Sequence, residues 1–215
     1  MKDTEMVRSY CANNQGGVFD LNYLSNTIFK DIPVGNLRKY VTRFVADGTL
    51  RQISKGVYLI GDSALDDESR VINHYLKGSY LFLGMYAGES LLYLNKLCSS
   101  RPEITTIKSP LTKGNKRIGN VQILETRNIC SGDSGRLMEV LEIINNSKCI
   151  DPDKMVYFSS LLSTLCNFYR DSILESMFIE YPRMVYIRLA NILEDAHISN
   201  RVMDIYECKT RYENL

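Results

Sequence analysis

From Ile32 to Ile60 the chain reads IPVGNLRKYVTRFVADGTLRQISKGVYLI, and the period of its hydrophobic positions changes halfway. Leu37, Tyr40, Val41, Phe44 and Val45 recur at i, i+3, i+4, i+7 and i+8, which predicts a helix with one apolar stripe. Pro33 suits its first turn, where a missing N–H costs nothing, and Asp47-Gly48 closes it. TLRQIS and GVYLI then alternate or run apolar about Lys55-Gly56, the pattern of a two-stranded hairpin. Upstream, TEMVRSYCANN reads as a short helix stopped by QGG. VFDLNYLSNTIF reads as a second, capped by Asp20, with Leu21, Leu24 and Ile28 on one side. Three short helices followed by a basic hairpin predict an N-terminal winged helix-turn-helix over residues 1–62.

GDSALDDES, Gly61 to Ser69, is small, polar and acidic, and marks an expected boundary between that unit and a second domain over residues 63–215. Beyond it RVINHYLK predicts a helix, SYLFLGM a strand and GESLLYLNKL a helix. ITTIKS and RIGNVQILET read as strands joined by the turn PLTKGNK. From Arg136 the pattern is helical through GRLMEVLEIINN, PDKMVYFSSLLSTLCNFY, SILESMFIEY and RMVYIRLANILED. The expected class is α/β in the broad, mixed α+β sense, with a larger, mostly helical C-terminal domain holding a small sheet.

Composition adds little until charge is located. With 45% hydrophobic and 24% charged residues the chain is an ordinary globular one, and no apolar run nears the roughly 18 residues that a membrane helix needs. MKDTEMVRSY lacks the apolar core of a signal peptide, and the six cysteines form no C-x-x-C pair, so a cytoplasmic protein with reduced thiols is expected. The net charge is +1, yet between Pro33 and Gly56 Arg38, Lys39, Arg43, Arg51 and Lys55 face only Asp47. A local basic patch on a neutral protein points to a polyanion met by one surface.

At about 100° per residue, the helix face opposite the stripe holds Gly35, Asn36, Lys39, Thr42, Arg43 and Ala46, with Arg38 on its flank. Small residues there permit close approach to double-stranded DNA. Asn36 can offer its amide to a base edge, Arg38, Lys39 and Arg43 can reach guanine edges or phosphates, and Arg51 and Lys55 suit phosphate contacts from the wing. Charged residues opposite an apolar stripe are also what any solvated helix shows. The DNA reading is preferred because helix order, turn, wing and charge agree. Lys108, Lys113, Lys116 and Arg117 form a possible second basic patch, or a solvated turn. For catalysis little offers itself. His74 and His197 have no His or Cys at metal-ligand spacing, AGES at Ser90 is not G-x-S-x-G, and TKGNKRIGN lacks the P-loop ending. Glu207-Cys208-Lys209 could supply half a nuclease metal site, but such a triplet is common by chance. No metal or other cofactor and no enzymatic activity are expected.

The succession of NLRKYVTRFVADGTLRQISKGVYLI, a helix-strand-helix segment and RIGNVQI resembles the AbiE-type antitoxins of type IV toxin-antitoxin systems, which serve bacterial phage defence. The resemblance covers residues 4 to 60 and, more loosely, 70 to 125. It implies a cytoplasmic antitoxin whose winged helix binds its own promoter as an autorepressor. The second domain is then needed to antagonise a nucleotidyltransferase-like toxin, without a stable complex between the two. A transcription regulator with a ligand-sensing second domain, and an enzyme targeted by a winged helix, are the competing classes.

Overall fold

The computed structural model describes residues 3–77 and 82–213 of the chain. It is a mixed helix-and-sheet protein. Helix α1 (Asp3–Asn13) leads into strand β1 (Val18–Asp20), then α2 (Leu21–Asn26), α3 (Val34–Ala46), β2 (Leu50–Ser54) and β3 (Val57–Ile60). Asp20 caps α2 by accepting from the amides of Asn22 and Tyr23. The helix is shorter than its pattern predicts: Ile28 lies beyond it and is exposed, and Phe29 fills the core instead. VFD, which ends at the predicted cap Asp20 and for which no strand is predicted, pairs with β3, so the hairpin is completed to a three-stranded antiparallel sheet in the order β1-β3-β2. Gly48 and Gly56 adopt the left-handed φ of 80° and 76° that the helix stop and the hairpin turn require.

The second part opens with α4 (Asp67–Leu76), capped by Asp66. The strand expected over SYLFLGM falls partly on residues 78–81, outside the described residues; the following part contributes only β4 (Met85–Tyr86). After α5 (Gly88–Leu94), β5 (Thr105–Ser109), β6 (Lys116–Ile118) and β7 (Val121–Glu125) complete a sheet ordered β4-β5-β7-β6. RIGNVQILET is two strands, broken at Gly119 with φ 57°. PLTKGNK is a crossover rather than a hairpin turn, because β7 lies parallel to β5 and β6 pairs on its far side. The remaining helices are α6 (Gly132–Asn145), α7 (Met155–Cys166), α8 (Asp171–Ser176), α9 (Arg183–Asp195) and α10 (Val202–Glu213). SILESMFIEY is helical only to Ser176, and α10 lies beyond the helical segments predicted above, with Val202 and Ile205 buried on one side.

Strand alternation distributes the core. In the first sheet Phe19 and Ile60 join Val7, Leu24, Phe29, Leu37, Val41 and Phe44 of the N-terminal helices. Val18, Val57 and Leu59 instead pack with Val71 and Tyr75 of α4 and with Ile107, Val121 and Ile123 of the second sheet. Gly61 to Ser69 is therefore a bend around a shared core. Arg70, 5% exposed, fastens it: its Nε donates to Gly16 O, and its Nη2 to Gly17 O, Ile60 O and Gly61 O. A third cluster surrounds α6, whose Leu137, Met138, Val140, Leu141, Ile143 and Ile144 are all buried among the C-terminal helices.

Candidate nucleic-acid interface

Burial of Leu37, Val41 and Phe44 fixes the rotation of α3 about its axis. Tyr40 is half-buried, and Val45, expected in the stripe, is 37% exposed at its edge. The opposite face consequently presents Gly35, Arg38, Lys39, Thr42, Arg43 and Ala46 to solvent, with Asn36 half-buried. Arg38, Lys39 and Arg43 make no ion pair among the described residues. A Cβ on Gly35 would meet nothing within 4 Å, so packing does not demand glycine there. The Thr42 hydroxyl donates to Arg38 O, 3.0 Å away, leaving its oxygen lone pairs as acceptors.

The single carboxylate of this window is neutralised from α1. Arg8 lies 3.2 Å from Asp47 and its guanidinium sits over the Phe44 ring at 4.8 Å. Hydrogen bonds from Thr49, then the Arg8 contact, hold the Asp47 carboxyl below the usual aspartate value. In the hairpin, Lys55 is exposed at the turn. Arg51 is not presented as a free cation: it meets Asp67, in the first turn of α4, at 2.6 Å. Both partners are half or more exposed, so this contact is a weak tether.

The four cations of the second sheet are not brought together. Lys108 points to the helical side, 2.7 Å from Glu142 and 2.9 Å from the Tyr181 hydroxyl. Lys116 points to the N-terminal side, 2.8 Å from Asp20 and 3.0 Å from the Tyr75 hydroxyl. Lys113 and Arg117 remain exposed, Arg117 donating to Gly119 O. Half of that possible patch is thus interior structure. Burial pushes the Asp20 carboxyl up, but the hydrogen bonds from Lys116 and Tyr75 and the Lys116 charge prevail and hold it below the ordinary value. Glu142, against Lys108, behaves in the same way.

Glu207 and Lys209 do not form a pair: on α10 the carboxylate meets Arg183 and Arg211, while the ammonium donates to Met177 O. Two positions apart on a helix, they face different directions. His74 has its Nε2 enclosed with no hydrogen-bond partner among the described residues, and burial lowers its pKa to about 4. His197 is exposed, with φ 58° beyond the end of α9. Cys11, Cys130 and Cys166 are buried free thiols, and Cys149 and Cys208 exposed ones. Among the described residues no group of three His, Cys, Asp or Glu could hold a metal ion, and no helix is long and apolar enough to cross a membrane.

No protein-family model matches the chain, and no curated protein matches it in sequence. Among solved structures, the chain is similar to the crystal structure of the RV2827C protein from Mycobacterium tuberculosis, at 15% identity and a TM-score of 0.39, over 93% of this chain and 78% of that one. A likeness at that level carries no argument about either fold or function.

Proposed function

We propose that α3 and the β2-β3 hairpin form the recognition helix and wing of a winged helix that binds duplex DNA. On this reading the chain is an autorepressing antitoxin of the AbiE type, whose second part is required to antagonise a nucleotidyltransferase-like toxin. The observation that carries the proposal is the outer face of α3, where Arg38, Lys39 and Arg43 stand exposed among small residues, without an ion pair among the described residues, while Arg8 meets Asp47, the one carboxylate between Pro33 and Gly56. A face that merely solvates a helix is usually mixed in charge; this one is all positive, and the turn of the β2-β3 hairpin adds the exposed Lys55. Asn36 and Thr42 supply amide and hydroxyl groups to base edges, and Lys55 a charge to the phosphates.

The test is titration of the full chain with its own promoter DNA across a range of salt. Affinity should fall linearly in a double-logarithmic plot, as counterion release requires. Lys55→Ala should weaken operator and unrelated DNA alike, whereas Asn36→Ala should cost about 1–3 kcal/mol mainly on the operator. Binding that ignores salt, or its absence, would defeat the proposal. One observation favours a ligand-sensing regulator as the second reading. A groove of about 410 Å³ is lined in part by Asp66, Glu68, Tyr86, Tyr93 and Arg101, and Asp66 and Glu68 are the chain neighbours of Asp67, which meets Arg51.

A further inference from the structure

We propose that the groove between α6, α7 and α9 is a docking site for an acidic amphipathic helix of a partner protein. Among the described helices of ten residues or more, α7 alone carries no charge. MVYFSSLLSTLC carries no charged residue over its twelve positions, yet only Leu162 and Cys166 of its described side chains are buried. Val156 is 84% exposed, the most of any large hydrophobic residue described, and its neighbours Met155 and Tyr157 are each 45% exposed. Beyond this apolar first turn the exposed positions are Ser159, Ser160, Ser163 and Thr164, so the uncovered apolar surface of α7 is concentrated at its start.

Beside it runs a concave, mainly apolar groove of about 380 Å³, floored by Ile144, Met155, Phe158 and Ile192. Lys148 and Arg188 flank that floor. Neither has a carboxylate partner among the described residues: Arg188 donates to the Ser147 hydroxyl, and the Lys148 ammonium makes no hydrogen bond or ion pair there. Two cations without anions at the rim of an apolar trough are complementary to a helix with apolar anchors at i, i+3, i+4 and i+7 flanked by Glu or Asp. The apolar floor disfavours a phosphate backbone, which is solvated and has nothing to bury there. The concavity disfavours a flat lipid surface, which meets protruding residues. A second copy of this chain would bring Lys148 and Arg188 against their own kind in a two-fold contact.

The site is remote in the chain from the proposed DNA-binding elements, so its test is independent of theirs. The probe is a synthetic helical peptide with a leucine stripe flanked by glutamates, compared with its lysine-for-glutamate counterpart, each titrated into the full chain by fluorescence anisotropy. The acidic peptide should bind and the basic one should not. Met155→Asp and the pair Lys148→Glu with Arg188→Glu alter exposed side chains that line the groove and should leave the fold, read by circular dichroism, unchanged. Either should weaken the acidic peptide by about tenfold or more, and the double charge reversal should transfer binding to the basic peptide. The proposal is overturned if both peptides bind equally or neither binds. It is also overturned if sedimentation shows Met155-dependent self-association, or if the protein instead binds anionic phosphatidylserine vesicles through Met155.

Discussion

Asp20 both caps α2 and accepts from the Tyr75 hydroxyl at 2.6 Å and from Lys116. Three elements far apart in the chain meet on its two oxygens, and the orphaned Nε2 of His74 lies in the same region, feeling the Asp20 and Lys116 charges. These groups give folding a pH dependence whose sign follows from linkage. His74 has a folded pKa of about 4 against an ordinary 6.5, because burial penalises its charged form. Between those values the unfolded chain takes up a proton that the folded chain refuses, so stability falls as pH drops from 6.5 towards 4. Asp20 and Glu142 have lowered folded values, so their stabilising contribution, fully present above the ordinary carboxylate range, is lost as pH falls further through them. Urea unfolding at a series of pH values should show two stages. His74→Leu should remove the upper one, worth about 3 kcal/mol, and leave the lower one in place. An upper stage unchanged by His74→Leu would show that the imidazole titrates normally.

At the scale of elements, period and punctuation made α3 and its hairpin legible, because Leu37, Val41 and Phe44 sit on one stripe and Gly48 and Gly56 occupy the turns that glycine favours. The same logic failed where pairing is remote. Three residues, Val18 to Asp20, are too few to reveal alternation, and only β3 makes them a strand. Nothing local shows that β7 runs parallel to β5, nor that Lys116 finds its anion 96 residues away. The exposed placement of Arg38, Lys39, Thr42 and Arg43 on one side of α3 is legible because it follows from local periodicity; the engagement of Arg51, Lys108 and Lys116 is not, since each partner arrives from another element. Gly84 belongs to the same class. A Cβ there would lie 2.6 Å from the carbonyl oxygens of both Tyr75 and Lys108, so glycine is what lets α4 and β5 close on that segment. Backbone atoms cannot yield as a flexible side chain does. Gly84→Ala should therefore cost roughly 2 kcal/mol or more in chemical denaturation, although alanine is otherwise the milder residue. A stability change near zero would mean that this approach is looser than it is drawn here. Gly35→Ala, with open space around it, should by contrast leave stability within about 0.5 kcal/mol.

For the molecule as a whole, the decisive fact is that the first sheet is buried on both faces. Its inner side chains complete the N-terminal core, while Val18, Val57 and Leu59, each at most 3% exposed, complete a core made otherwise by α4 and the second sheet. Arg70 and the Asp20–Tyr75–Lys116 contacts bind the same junction by polar means. Composition marks a boundary at Gly61 to Ser69, and loosely joined domains would then unfold separately. The packing argues the opposite. Releasing residues 1–62 alone would expose three large apolar side chains at about 1.5–3 kcal/mol each and remove every partner of Asp20 beyond α2. That is comparable with the whole stability of a unit so small. The full chain should accordingly unfold in one transition, with far-UV circular dichroism and tyrosine fluorescence giving the same urea midpoint. The fragment 1–62 should bind a hydrophobic dye and lack a cooperative transition. Two separated transitions in the full chain, or a fragment 1–62 that melts cooperatively, would show that the junction is a contact between independent domains. The proposed DNA-binding face could then be studied apart from the rest. If the transition is single, any ligand that stabilises the second part also stabilises the placement of α3, and the two parts are thermodynamically linked.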